Sequence, residues 1–223
     1  MAQETKFTLL SDAIGSILHE LNQPLTMMNF VSETLFLLAE KKPDYVFDDL
    51  KEIAIQVKNG AMRHRELLEH LRDLIEDSPT PRPVSLNEVV QTTLQTLRSR
   101  LNAHQLIVKT ALAKAQPVVF VPSARLRLLV FALVFSILNR KPSNGILPCQ
   151  VLFKTVRHKK TVDLHFTCTA RVKLRAHASI SINEAYLDIL QSLVHDLGAV
   201  LSFPKKTALP ISIKFALFQE SPA

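Results

Sequence analysis

Along the first segment of the chain, apolar residues fall at Phe7, Leu10, Ile14, Ile17, Leu21, Pro24, Met28, Val31, Leu35 and Leu38. The steps alternate three and four without a slip, the a/d spacing of a helix that buries one seam in a bundle or left-handed coiled coil. "KKPD" (Lys41 to Asp44) interrupts the pattern, because proline disfavours helical geometry in the residue ahead of it. A second seam runs through Val46, Leu50, Ile53, Val57, Gly60, His64, Leu67, Leu71 and Leu74. It stops at "DSPTPRP" (Asp77 to Pro83), whose prolines read as a linker. Two such helices joined by a short turn predict an antiparallel hairpin. A lone hairpin leaves much of each apolar stripe wet, so a second copy is expected to complete a symmetric dimeric four-helix bundle, making the protein a homodimer.

Past the linker the pattern changes to a mixture of helical and alternating runs. "PVSLNEVVQTTLQTLRSRL" (Pro83 to Leu101) reads as one amphipathic helix, with Ser85 as N-cap and Glu88 three residues on. Extended stretches follow near Leu106–Ala111 and Pro117–Val121, then an apolar helix from Ala124 to Asn139. Strands are expected at Val151–Val156 and Val162–Thr169, and a helix from Asn183 to Leu197 capped by Gly198. Strands at Val200–Phe203 and Ile211–Phe218 close the fold. Strands with helices on one face make an α/β sandwich, so the chain as a whole is read as α+β.

Charge divides the chain at the same place. Residues 1–78 hold 8 basic and 14 acidic side chains, a balance of −6, while the rest hold 19 and 6, a balance of +13. Such an asymmetry points to two modules. The basic residues of the second are scattered and accompany no RNA-binding motif, so nucleic acid is not the expected partner. The longest apolar run, Leu128 to Leu138, is too short to span a bilayer. "MAQETKF" lacks the basic start and apolar stretch of a signal peptide, so no membrane association is expected. Cys149 and Cys168 stand apart without metal-like spacing, which fits free thiols in a reducing cytoplasm and no metal site.

The seam also says where the chemistry points. With Ile14 at a and Ile17 at d, His19 falls at f, away from the seam, with Glu20 at g and Gln23 at c. A neutral imidazole is a competent nucleophile near neutral pH. A neighbouring carboxylate can hold one ring nitrogen as N–H and favour attack by the other. Pro24 lacks an amide donor and leaves the Glu20 carbonyl without its usual helical partner, which predicts a local bend after the histidine. His64, on the second seam, is expected to be packed.

"HELNQPL" (His19 to Leu25) resembles the H-box of bacterial sensor histidine kinases: His, an acid, an aliphatic, two polar residues, then Pro-Leu. The resemblance implies a dimerisation and histidine-phosphotransfer domain over residues 5–77, a linker at 78–83, and a histidine-kinase-like ATPase domain over 84–218. It implies His19 as the phosphorylated residue, Glu20 as its catalytic helper, and Asn22, Gln23 and Leu25 as the face that meets the partner. Gln23 also stands where the family carries a polar residue used in phosphatase activity.

The second domain departs from that family at each nucleotide box. "ARLRLLVFALVFSILN" (Ala124 to Asn139) takes the place of the N-box helix, with Ala132, Phe135 and Ser136 at the ligating positions. Apolar side chains cannot ligate Mg²⁺, which requires oxygen donors. In "VDLHFTCTARV" (Val162 to Val172), Cys168 replaces the aspartate that would read adenine, and "NEAYL" (Asn183 to Leu187) replaces a glycine-rich turn. Phosphate-cradling loops need glycine for close backbone approach, and the chain has only Gly15, Gly60, Gly145 and Gly198. The expectation is an ATP-binding fold that binds no ATP and takes no cofactor.

An acceptor helix beside such a module reads as a cytoplasmic histidine phosphotransferase of a phosphorelay, without a sensor region. Its expected partners are response-regulator receiver domains and a cognate histidine kinase. The rival is a catalytically inactive pseudo-histidine-kinase that scaffolds or inhibits a response regulator or a true kinase. A divergent active kinase and a Gln23-dependent phosphatase are further alternatives.

Overall fold

A computed structural model describes residues 2–41, 47–76, 80–138, 149–170, 184–203 and 211–218. Two long helices open the chain, α1 (Ala2–Lys41) and α2 (Phe47–Glu76), and they pack along each other. The described part then runs β1 (Arg82–Ser85), α3 (Leu86–Thr96), α4 (Arg98–Ala103), β2 (Ile107–Ala111), β3 (Val118–Val121) and α5 (Ser123–Leu138). It ends with β4 (Cys149–Arg157), β5 (Thr161–Ala170), α6 (Glu184–Asp196), β6 (Val200–Ser202) and β7 (Ile211–Ala216). The architecture is α+β, a helical N-terminal part followed by a helix-backed sheet.

The main sheet has five strands in the order β2-β4-β5-β7-β6. The β2–β4 pair is parallel and the others antiparallel. Alternation along the strands sends Val151, Phe153, Val162, Leu164, Phe166, Ile211, Ile213 and Phe215 into the core. α5 is buried around most of its circumference, since α3, α6 and both hairpin helices pack against it and its side chains share one core with the inward faces of the strands. That accounts for a helix with almost no polar face.

Three local details differ from the sequence expectation. The end of the proline-rich stretch does not remain a linker: Arg82–Ser85 pairs antiparallel with β3, Pro83 opposite Phe120. Proline is tolerated there because a two-stranded ribbon leaves each strand an unpaired edge. The helix expected through Leu101 breaks at Leu97 (φ −91°, ψ 0°), dividing α3 from α4. The hairpin also does not stand apart from the sheet, because α1 packs against both α5 and α6.

That packing rotates the buried face of α1. Ile17, Leu21, Pro24 and Val31 are buried as the seam predicts. Leu9, Ala13, Ser16 and Glu20 are buried too, while Leu10, Ile14 and Met28 are only half-covered. A helix facing two surfaces buries a wider stripe than a coiled-coil seam does. Two expected caps are in place: Ser85 Oγ accepts from the Glu88 N–H at 3.4 Å, and Gly198 (φ +61°) ends α6. Gly198 N–H bonds His195 O, and Ala199 N–H bonds Val194 O, the paired closure that a left-handed residue permits.

Candidate phospho-acceptor site

His19 lies in the middle of α1 and is exposed, as its register predicts. Asn22 and Leu25 are exposed as well, Leu25 at 42%. Pro24 is buried against the rest of the fold, and α1 continues through it as one helix. The Thr26 hydroxyl donates to Asn22 O at 2.8 Å, one turn back, immediately beyond the proline.

Glu20 behaves differently from its neighbours. It is 7% exposed, and its Oε1 accepts the Ser99 backbone N–H at 3.0 Å. Leu97, the residue before α4, has no side-chain oxygen to cap that helix. The first N–H groups of α4 therefore need acceptors from elsewhere, and a carboxylate from α1 supplies one. Gln23 reaches the same residue: its Nε2 donates to Ser99 Oγ at 2.6 Å.

One turn earlier on the same face, Arg100 binds α1 again. Its Nη1 donates to Asp12 O at 3.3 Å and to Ser16 Oγ at 3.1 Å, and its Nη2 lies 3.7 Å from Asp12 Oδ1. The guanidinium also sits 4.7 Å from the centre of the Phe135 ring, a cation–π contact with α5. Ser16 and Gln23 stand three residues before and four after His19, on its own helical face. Both are bonded to α4, Ser16 through Arg100 and Gln23 through Ser99. A polar cleft of about 600 Å³ opens beside this contact, lined by Glu20 and Gln23 of α1, Arg63 and Glu66 of α2, and Gln95, Arg98, Ser99 and Asn102 from α3–α4.

The sequence reading assembled His19, Glu20, Asn22, Gln23 and Leu25 but had no means of finding Ser99 or Arg100. "RSR" (Arg98 to Arg100) looks like an ordinary basic turn, and only the break at Leu97 aims it at α1.

Elsewhere, Ala132, Phe135 and Ser136 on α5 are all buried. The Ser136 hydroxyl donates within its own helix to Leu133 O at 2.7 Å, and the Phe131 and Phe135 rings stack. Cys168 is buried at 7% exposure. Asn139, Gly145 and Asn183 fall outside the described residues. His64 is half-buried on α2. Among the described residues there is no metal-holding group of three His, Cys, Asp or Glu side chains, and no helix long and apolar enough to cross a membrane.

No family model matches the chain, and none of the curated proteins matches it. Among solved structures it is similar to the Acinetobacter baumannii histidine kinase AdeS, at 15% identity and a TM-score of 0.47, over 90% of this chain and 98% of that one. A histidine kinase from Burkholderia phymatum STM815 gives 13% identity and a TM-score of 0.44, over 90% and 97%. The mycobacterial sensor histidine kinase MprB gives 13% and 0.44, over 62% and 98%.

Proposed function

We propose that this protein is a histidine phosphotransferase of a two-component phosphorelay, moving a phosphoryl group between receiver aspartates through His19 without using ATP. The observation that carries the reading is His19 itself, exposed at the head of "HELNQPL" on a long helix of a helical hairpin. In the transfer, the unprotonated ring nitrogen of His19 attacks phosphorus. The bond from phosphorus to the donor's aspartyl oxygen breaks, and that carboxylate leaves with the bonding electrons. The imidazole then carries positive charge, which a carboxylate beside its other nitrogen stabilises. Glu20 is the candidate for that carboxylate, and Asn22, Gln23 and Leu25 would meet the receiver.

The absence of an ATP step rests on α5. Ala132 and Phe135 offer no oxygen to Mg²⁺, and Ser136 spends its hydroxyl on its own helix. Support for a homodimer comes from large apolar side chains left exposed along the hairpin, Phe30 at 69% and Phe36 at 64% among them.

The second reading is a pseudo-histidine-kinase that scaffolds or inhibits. Its favouring observation is that Ser99 holds both Glu20 and Gln23, two of the polar side chains that follow the acceptor. Phosphotransfer profiling separates the two. Receiver domains loaded with labelled phosphate are mixed with the wild type and with His19→Ala. Acid-labile, alkali-stable label on the wild type alone is the expected outcome, and no label from any receiver would shift the assignment to the scaffold.

A further inference from the structure

Ser99 and Arg100 of α4 both bond α1. Ser99 takes the Glu20 carboxylate on its N–H and the Gln23 amide on its hydroxyl. Arg100 takes Asp12 and Ser16, and is itself seated on Phe135 of α5. These contacts link the acceptor helix to the sheet-bearing part of the chain, and their partners lie on both sides of His19 along one helical face.

We infer that the α1–α4 contact is an autoinhibitory latch, which holds Glu20 away from His19 and is released when the acceptor becomes reactive. The inference rests on the phosphotransfer reading and adds its regulation. Adjacent side chains on a helix diverge, so Glu20 reaches the neighbouring imidazole only by folding back along its own helix. A carboxylate tied to a backbone N–H and buried at 7% exposure is not free to do so. His19 stays open to solvent in the latched state, so a small phosphoryl donor reaches it, but without its base. The nearby cleft shares Glu20, Gln23 and Ser99 with the latch, which places the releasable bonds beside solvent rather than deep in the core.

Phosphoramidate tests this without any partner protein. His19 attacks its phosphorus, the P–N bond breaks, and ammonia departs with the bonding electrons. The full-length chain is incubated with phosphoramidate and followed by intact mass, with His19→Ala as the blank. Arg100→Ala removes the anchor without touching His19 or Glu20, and is expected to react at least about tenfold faster than wild type, within the range of a recovered general base. Arg100→Lys should fall back toward the wild-type rate. Adding Glu20→Gln to Arg100→Ala should abolish the gain. Asp12→Asn combined with Ser16→Ala loosens the same anchor from the α1 side, and gives the answer if Arg100→Ala does not fold.

Equal rates in wild type and the folded anchor variants would overturn the latch, as would a gain that survives Glu20→Gln. Phosphoramidate rates that follow this pattern while no receiver ever exchanges label with His19 would leave the latch standing and remove the phosphorelay role.

Discussion

At Ser99 one residue engages two of the three polar side chains that follow the acceptor in the sequence motif, Glu20 through its N–H and Gln23 through its hydroxyl. The exposure of His19 agrees with its f position, away from the a/d seam, on a helix whose c and g positions Ser16 and Glu20 are covered by a second surface. The destination of the Glu20 carboxylate was not, since its partner lies 79 residues along the chain. Nothing in "HELNQPL" encodes a kink at Leu97. His19 contributes little to the fold, being an exposed side chain on a continuous helix. His19→Ala should therefore change stability by no more than about 0.5 kcal/mol. Matching thermal melts of the two proteins would check this, and would make a loss of phosphotransfer a chemical effect.

At the scale of elements, α1 serves two surfaces with one sequence. It packs against α2, α5 and α6, and Leu9, Ala13, Ser16 and Glu20, outside the a/d positions, are buried along with part of the seam. The heptad spacing could announce only the first surface, because small and polar residues such as Ala13 and Ser16 give no apolar signal. Gly15, on the exposed side of the same helix, has nothing within 4 Å of where a Cβ would stand. Gly15→Ala should stabilise the protein by about 0.5–1 kcal/mol through helix propensity alone. For a chain of this size that is a rise in Tm of about 2 °C, readable by circular dichroism. A fall would mean that this face of α1 is covered by something a single chain does not contain. The apolar pattern of α5 is enough to expect its burial, since a helix that is hydrophobic on every side must be covered on every side.

For the whole molecule, the hairpin both clamps the sheet-bearing part and leaves large side chains in water. Phe30, Phe36, Met62 and Leu68 are each more than a third exposed in a single chain. If a second copy covers them, the wild type sediments at twice the chain mass. Phe30→Asp together with Phe36→Asp should then sediment as a single chain, because a buried unpaired carboxylate is costly. Wild-type protein that sediments as one chain at micromolar concentration would remove the dimer from the proposal.

Local pattern by itself determined the two long helices, the helix-backed sheet, the caps at Ser85 and Gly198, and the outward placement of His19. These follow from spacings of two to seven residues, and such spacings are properties of the backbone period. Tertiary structure alone decided that the proline-rich stretch ends in a strand, that α1 leans on α5 and α6, and that Glu20 and Gln23 are held at Ser99. Each of those depends on groups from distant segments meeting at hydrogen-bond distance, and no short-range period encodes where a chain returns to itself.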